Sequence, residues 1–108
     1  MDSPGPREDA ASLTVLTTAR HGVVWIVVRG EADLSTLEHL RTSLAEIELD
    51  RGSLVYLDLR LLTFCDSASC LTLLRFERQK RAAGHDVRIH RPTPTVRKVM
   101  SILEDASG

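Results

Sequence analysis

The chain has 108 residues, 43% of them hydrophobic and 27% charged, with a formal net charge of −1. This length fits one domain able to bury a core without disulfides or metals. The near-neutral balance excludes a global basic field for nucleic acid, and no apolar run is long enough to span a bilayer. One cytoplasmic domain touching neither nucleic acid nor membrane directly is expected.

Residues 1–12 open with Met1-Asp2-Ser3-Pro4-Gly5-Pro6 and continue through acids. No basic region precedes an apolar stretch, so a disordered lead is expected rather than a secretory signal. Residues 13–19 alternate well enough for an edge strand, and His21-Gly22 marks a turn. Residues 23–28, Val-Val-Trp-Ile-Val-Val, are β-branched and aromatic on both faces, which predicts a central strand ended by Arg29-Gly30. Leu37, Leu40, Leu44 and Ile47 recur at helical spacing. They predict a helix over 35–49, capped by Ser35 or Asp33 and closed by Asp50-Arg51-Gly52.

Residues 54–59 predict a second inner strand with Asp58 as its one charge, followed by a loop through Arg60–Cys65. A helix follows from Ser67 to about Ala83, apolar first and charged later, with Gly84 after it. Residues 86–90 alternate as a short strand. Thr93 and Pro94 then start a helix carrying Val96, Val99, Met100 and Leu103 on one face. The order β-β-α-β-α-β-α implies a hairpin, then crossover units. The expected fold is a two-layer α/β sandwich, with a mixed sheet of four to five strands and helices on one face.

Signatures of catalysis are missing from the sequence. No glycine-rich phosphate loop follows a strand, and no Gly-x-Ser-x-Gly elbow occurs. His21, His39, His85 and His90 are scattered without ligand spacing. No enzyme, cofactor or metal site is expected. Asp33, Asp58 and Asp66 could meet as a carboxylate cluster, but loop and cap roles are the plainer reading.

The strongest local feature is Asp66-Ser67 at a strand-to-helix junction. Asp66 suits an N-cap accepting from the amides of Ala68 or Ser69. Ser67 then takes the first helical position, with its hydroxyl exposed near unpaired amides. A phosphate there is tolerated by the helix, because amides and dipole favour negative charge. A plain Asp-Ser cap is the simpler alternative.

Three segments together resemble the STAS domain, shared by bacterial anti-anti-sigma factors and the cytosolic tails of sulfate transporters. They are Val28-Arg29-Gly30-Glu31-Ala32-Asp33, then Leu57-Asp58-Leu59 with Leu62-Thr63-Phe64-Cys65-Asp66-Ser67, and Ala83-Gly84-His85-Asp86-Val87 with Pro94 to Met100. The match covers about residues 13–103, and 13–108 would be the domain. The resemblance implies an anti-sigma factor antagonist, a phosphoprotein of transcription regulation and stress response. Unphosphorylated, it binds an anti-sigma factor that is a GHKL-type serine kinase. Phosphorylation breaks that complex, and a PP2C-type phosphatase resets it. By position the phosphoacceptor is Ser67, with Asp33, Leu34, Ser35, Asp66, Ser67, Ala68 and Ser69 as the partner-binding set. A monomer or weak dimer is expected.

The family's usual Asp-Ser-Ser-Gly-Leu reads Asp66-Ser67-Ala68-Ser69-Cys70 here. Ser69 is a second candidate acceptor hydroxyl on the same turn. The altered turn leaves open an alternative, a STAS subunit of a membrane transporter complex such as a phospholipid transport ATPase. Cys65 and Cys70 bracket the junction, either as a redox pair or, the plainer reading, as two buried thiols acting as small hydrophobes.

Overall fold

The computed structural model describes residues 12–107. The expected lead, residues 1–12, therefore lies outside the described residues except for Ser12. Strands β1 (Leu13–Arg20) and β2 (Val23–Ala32) form an antiparallel hairpin in register from Leu13↔Gly30 to Arg20↔Val23. His21 and Gly22 both have positive φ, 54° and 81°. That is the two-residue turn whose twist matches its strands.

After helix α1 (Leu37–Ala45), strand β3 (Leu54–Asp58) runs parallel to β2, from Val23↔Leu54 to Val27↔Asp58. Strand β4 (Leu62–Cys65) pairs with β2 farther along, from Gly30↔Leu62 to Ala32↔Cys65. Helix α2 (Ser67–Ala82), strand β5 (Asp86–His90) and helix α3 (Pro94–Ser107) complete the fold, with β5 parallel to β3. The sheet order is β1-β2-β3-β5, with β4 beside the far end of β2. This mixed five-stranded sheet with three helices is the expected α/β architecture.

The inner face of the sheet supplies Leu13, Val24, Ile26, Val28, Val55, Leu57 and Val87 to one core, and the helices supply Leu40, Leu44, Leu73, Leu74, Val96 and Met100. The opposite face carries an aromatic cluster. Trp25 stacks on Tyr56 at 4.5 Å between centroids, and His90 meets Trp25 edge-on at 5.0 Å.

Three boundaries differ from the sequence reading. β2 does not stop at Gly30, because β4 offers its last residues a partner. The segment expected as a loop through Cys65 holds that partner. The helix expected over 35–49 ends at Ala45. Beyond it, half-buried Ile47 and Leu49 both pack on the core while Glu46, Glu48 and Asp50 are exposed. That period-two pattern is extended chain, and Ile47 satisfies both periods.

Gly30 sits where β2 bends between its two partners, with a register shift between Gly30 and Glu31. Its φ is +110°, and a Cβ there would stand 2.1 Å from the Ser12 carbonyl oxygen. Only glycine fits this close approach.

Candidate functional site

Parallel strands end together, so the loops after them share one edge of the sheet. β2 and β4 end at Ala32 and Cys65, which are register partners. The next residues, Asp33 and Asp66, leave the sheet side by side. The Asp66 amide donates to the Ala32 carbonyl at 3.0 Å, tying the start of α2 to the Asp33 loop.

Asp66 caps α2, as its residue type leads one to expect. Its backbone is extended (φ −77°, ψ 175°), and its carboxylate accepts from the Ser69 amide at 2.8 Å. Its carbonyl accepts from the Cys70 amide at 2.9 Å. Ser67 and Ala68 are exposed on the first turn. Ser69 is fully buried, and its hydroxyl finds no hydrogen-bond partner among the described residues. Ser69, expected as a partner-binding residue and a second candidate acceptor, is therefore out of reach of solvent, unlike Ser67. The signal was present: Ser69 stands four before Leu73 and seven before Phe76, on the apolar face of α2.

The Asp33 loop is a tight turn built on side-chain oxygens. Asp33 Oδ1 accepts from the Ser35 hydroxyl at 2.6 Å and the Ser35 amide at 2.9 Å. The Ser35 hydroxyl, with the amides of Ser35 and Thr36, holds the Asp33 carboxyl below the usual carboxylate range against slight desolvation. Thr36, not Ser35 or Asp33, occupies the N-cap position of α1, and it makes no side-chain cap bond. Its hydroxyl turns back, donating to the Glu31 carbonyl at 3.0 Å and accepting from the Asp33 amide at 3.0 Å. This arrangement lifts Leu34 to 77% exposure. Ser35 is exposed beside it.

Sequence reasoning missed the exposed apolar side chains of the β4 segment. Phe64 of β4 and Leu61 before it are 45% and 46% exposed. Exposed large apolar side chains suit protein docking better than chemistry. No group of three or more His, Cys, Asp or Glu able to hold a metal occurs among the described residues, so Asp33, Asp58 and Asp66 form no such cluster.

Asp58 has a separate structural task. It is buried at the end of β3 and takes hydrogen bonds from Arg60 Nε at 3.1 Å and Nη2 at 3.0 Å. Burial pushes its carboxyl up, but the Arg60 side chain and amide outweigh that and hold it below the usual range. Cys65 and Cys70, at the end of β4 and in the first turn of α2, are both buried free thiols. No described helix is long and apolar enough to cross a membrane.

The family model for Mlab, STAS domain, matches residues 14–104. Among solved structures, an anti-sigma factor antagonist from Mycobacterium paratuberculosis aligns with a TM-score of 0.70 at 22% identity, covering 89% of this chain and 81% of that one. An antisigma-factor antagonist STAS domain from Rhodobacter sphaeroides aligns at 0.59 and 22% identity, covering 74% and 87%. The anti-sigma factor antagonist SpoIIAA in its unphosphorylated form aligns at 0.59 and 25% identity, covering 85% and 80%. No curated protein sequence matches. With the family model spanning most of its length, the chain belongs to the STAS domain family.

Proposed function

We propose that this protein is an anti-sigma factor antagonist, a non-enzymatic cytoplasmic binding module switched off by phosphorylation of Ser67. The observation that carries this reading is the division of labour on the first turn of α2. Ser67 is exposed directly after an acidic N-cap, while the neighbouring hydroxyl of Ser69 is buried. Three solved structures that align with the chain are themselves anti-sigma factor antagonists, which supports the role.

In this reading the unphosphorylated surface of Asp33, Leu34, Ser35, Asp66, Ser67 and Ala68 docks an anti-sigma factor that is a GHKL-type serine kinase. The kinase supplies nucleotide and catalytic base, and Ser67 supplies only its hydroxyl. The phosphate adds about −1.5 to −2 charges at a helix start that tolerates them. The fold therefore survives modification. The surface changes, because the new charge follows Asp66 directly, and the Asp66 amide is tied to Ala32 at the base of the loop that carries Asp33 and exposed Leu34. A partner docked on that apolar and acidic edge is repelled. A PP2C-type phosphatase restores the docking form.

The altered first turn favours a second reading. The turn buries Ser69 and Cys70 where the family's usual sequence has Gly-Leu, which fits a STAS subunit of a transporter complex that needs no phosphoswitch. A pull-down with the Ser67→Ala chain as bait separates the two. A GHKL-type kinase in the eluate, able to phosphorylate the wild-type chain at Ser67 with ATP, upholds the antagonist. Permease and ATPase subunits in its place would overturn it.

A further inference from the structure

We propose that β1 is a self-pairing edge, through which two copies of this chain join antiparallel about a two-fold axis at Leu16. The strand order leaves β1 and β5 at the two sides of the sheet, each paired on one side only among the described residues. An open strand side is a row of backbone donors and acceptors that takes another strand unless something blocks it. β5 is blocked. It is five residues long and carries Asp86 and Arg88, which are exposed and ion-paired at 3.1 Å. β1 is not blocked. It runs for eight residues with no charge before Arg20, no proline and no glycine, and its register with β2 is continuous throughout.

The open side of β1 can be assigned residue by residue. The Ser12 carbonyl accepts from the Glu31 amide at 2.8 Å, so Ser12 turns its backbone groups to β2. Antiparallel pairing alternates, so Thr14, Leu16, Thr18 and Arg20 turn theirs to β2 as well. Leu13, Val15, Thr17 and Ala19 turn theirs to the open side. A two-fold axis at Leu16 sets Val15 against Thr17 of the second copy, and Leu13 against its Ala19. Each such pair exchanges both of its hydrogen bonds, so the open-side groups from Leu13 to Ala19 are all satisfied.

The side chains suit this occupant. Leu16 is 62% exposed and shares the outer face of the sheet with its register partner Val27. Across the axis the two copies of Leu16 form a non-hydrogen-bonded pair, the closer of the two antiparallel spacings. With Val27 on either flank they make one apolar row over both copies. Thr14 pairs with Thr18 of the second copy, a favourable match of β-branched hydroxyls. Charge agrees as well. Arg20 aligns with Ser12 of the second copy, and Glu31 stands next to that Ser12 on β2. Arg20 and Glu31 are both exposed, and two strand spacings, about 10 Å, are within the reach of their long side chains. The axis makes this contact twice. Residues 1–11 of the same chain are poorer strand partners, because Pro4 and Pro6 have no amide to donate.

The test uses the purified full chain under reducing conditions, followed by analytical ultracentrifugation from about 10 µM to about 1 mM. A strand-edge contact is a small interface, so a monomer–dimer equilibrium with its midpoint at roughly 100 µM is expected. Thr17→Pro removes an amide that β2 does not use, and Leu16→Lys sets two like charges together. Each should weaken the dimer at least about tenfold while the dilute monomer stays folded. Arg20→Glu should weaken it too, and adding Glu31→Arg should restore it. On mild oxidation Leu16→Cys should form a disulfide-linked dimer, since its pair stands about 4.5 Å apart at Cα, and Thr18→Cys should not.

A chain that stays monomeric throughout, assembly beyond the dimer, or a dimer that Leu16→Lys leaves intact would overturn the proposal. Equal crosslinking at both cysteine positions, or no recovery in the charge-swapped chain, would overturn the register. Val15 and Thr17 amides already protected from hydrogen exchange in the monomer would give the open side to residues 1–11 and overturn it as well. None of these readouts involves Ser67 or a kinase, so the interface and the phosphoswitch stand or fall separately.

Discussion

The Asp66 carboxylate accepts from the Ser69 amide at 2.8 Å, and this one cap divides the first turn of α2 into a reachable serine and a buried one. Ser67 sits outside the capped turn and Ser69 inside it. Removing the cap leaves an amide without its partner. Asp66→Ala should lose about 1 kcal/mol of stability, lowering Tm by roughly 4–8 °C in a domain of this size. Asp66→Asn, which still caps, should keep most of it. Thermal denaturation of the three chains checks this, and an equal loss in both variants would place the stabilisation in the charge instead.

Ser67 is exposed on the first turn of α2. Ser67→Ala and Ser67→Asp should both fold within about 0.5 kcal/mol of wild type, since surface changes of this kind are small and a helix start accepts an acid. Their binding should diverge. Ser67→Ala holds the kinase partner constitutively, while Ser67→Asp weakens it by at least about tenfold, roughly 1.4 kcal/mol. Isothermal titration against the captured kinase measures both. A Ser67→Asp chain binding as tightly as wild type would count heavily against the switch.

Ser69 is a buried hydroxyl without a hydrogen-bond partner among the described residues, and such a group is held at the expense of its lost hydration. Ser69→Ala keeps the backbone amide that Asp66 caps, removes the orphan oxygen and improves helix propensity. It should stabilise the domain by about 1 kcal/mol. Urea denaturation checks the sign, and a destabilised Ser69→Ala would mean that the hydroxyl has a role in packing.

Gly30 faces the Ser12 carbonyl so closely that a methyl group has no room. Gly30→Ala should be destabilised by at least about 2 kcal/mol, from positive φ together with the clash. The damage should appear first as lost protection of the β1–β2 and β2–β4 amides by hydrogen exchange, because Glu31 donates to Ser12 and Gly30 donates to Leu61 across that point.

What the sequence revealed and what it hid follow one physical rule. Elements whose pattern is completed within themselves were legible: the β1–β2 hairpin, β3, β5, and the starts of α2 and α3. Thr93 does cap α3, accepting from the Val96 amide at 3.3 Å. Features that depend on a neighbour were not. Leu62-Thr63-Phe64-Cys65 is too short to declare a strand until the extension of β2 pairs with it. Ile47 fits a helix face and an extended alternation equally. The Asp66-Ser67 junction itself was legible because a helix cap is a local code. The apolar rim of Leu61 and Phe64 was not, because exposure is decided by what fails to cover it.

The Asp58–Arg60 pair predicts an acid limit to stability. Arg60 holds the Asp58 carboxyl below its usual value in the folded protein, so the folded state binds that proton less readily than the unfolded chain does. Stability from the pair is therefore complete above the unfolded value of about 3.9 and is lost as pH falls through the lower folded value. Asp33 shifts in the same direction through the Ser35 hydroxyl, so Asp33→Asn serves as the control for its share of the slope. With Arg60 half exposed to solvent, Asp58→Asn should cost about 1–2 kcal/mol at neutral pH. The difference from wild type should shrink as pH falls below the unfolded value and vanish once pH is below the lower folded value, because protonated Asp58 has lost the same interaction. Urea midpoints from pH 2 to 7 for wild type and the two variants read this directly. A deficit in Asp58→Asn that stays constant across the range would assign its effect to packing rather than charge.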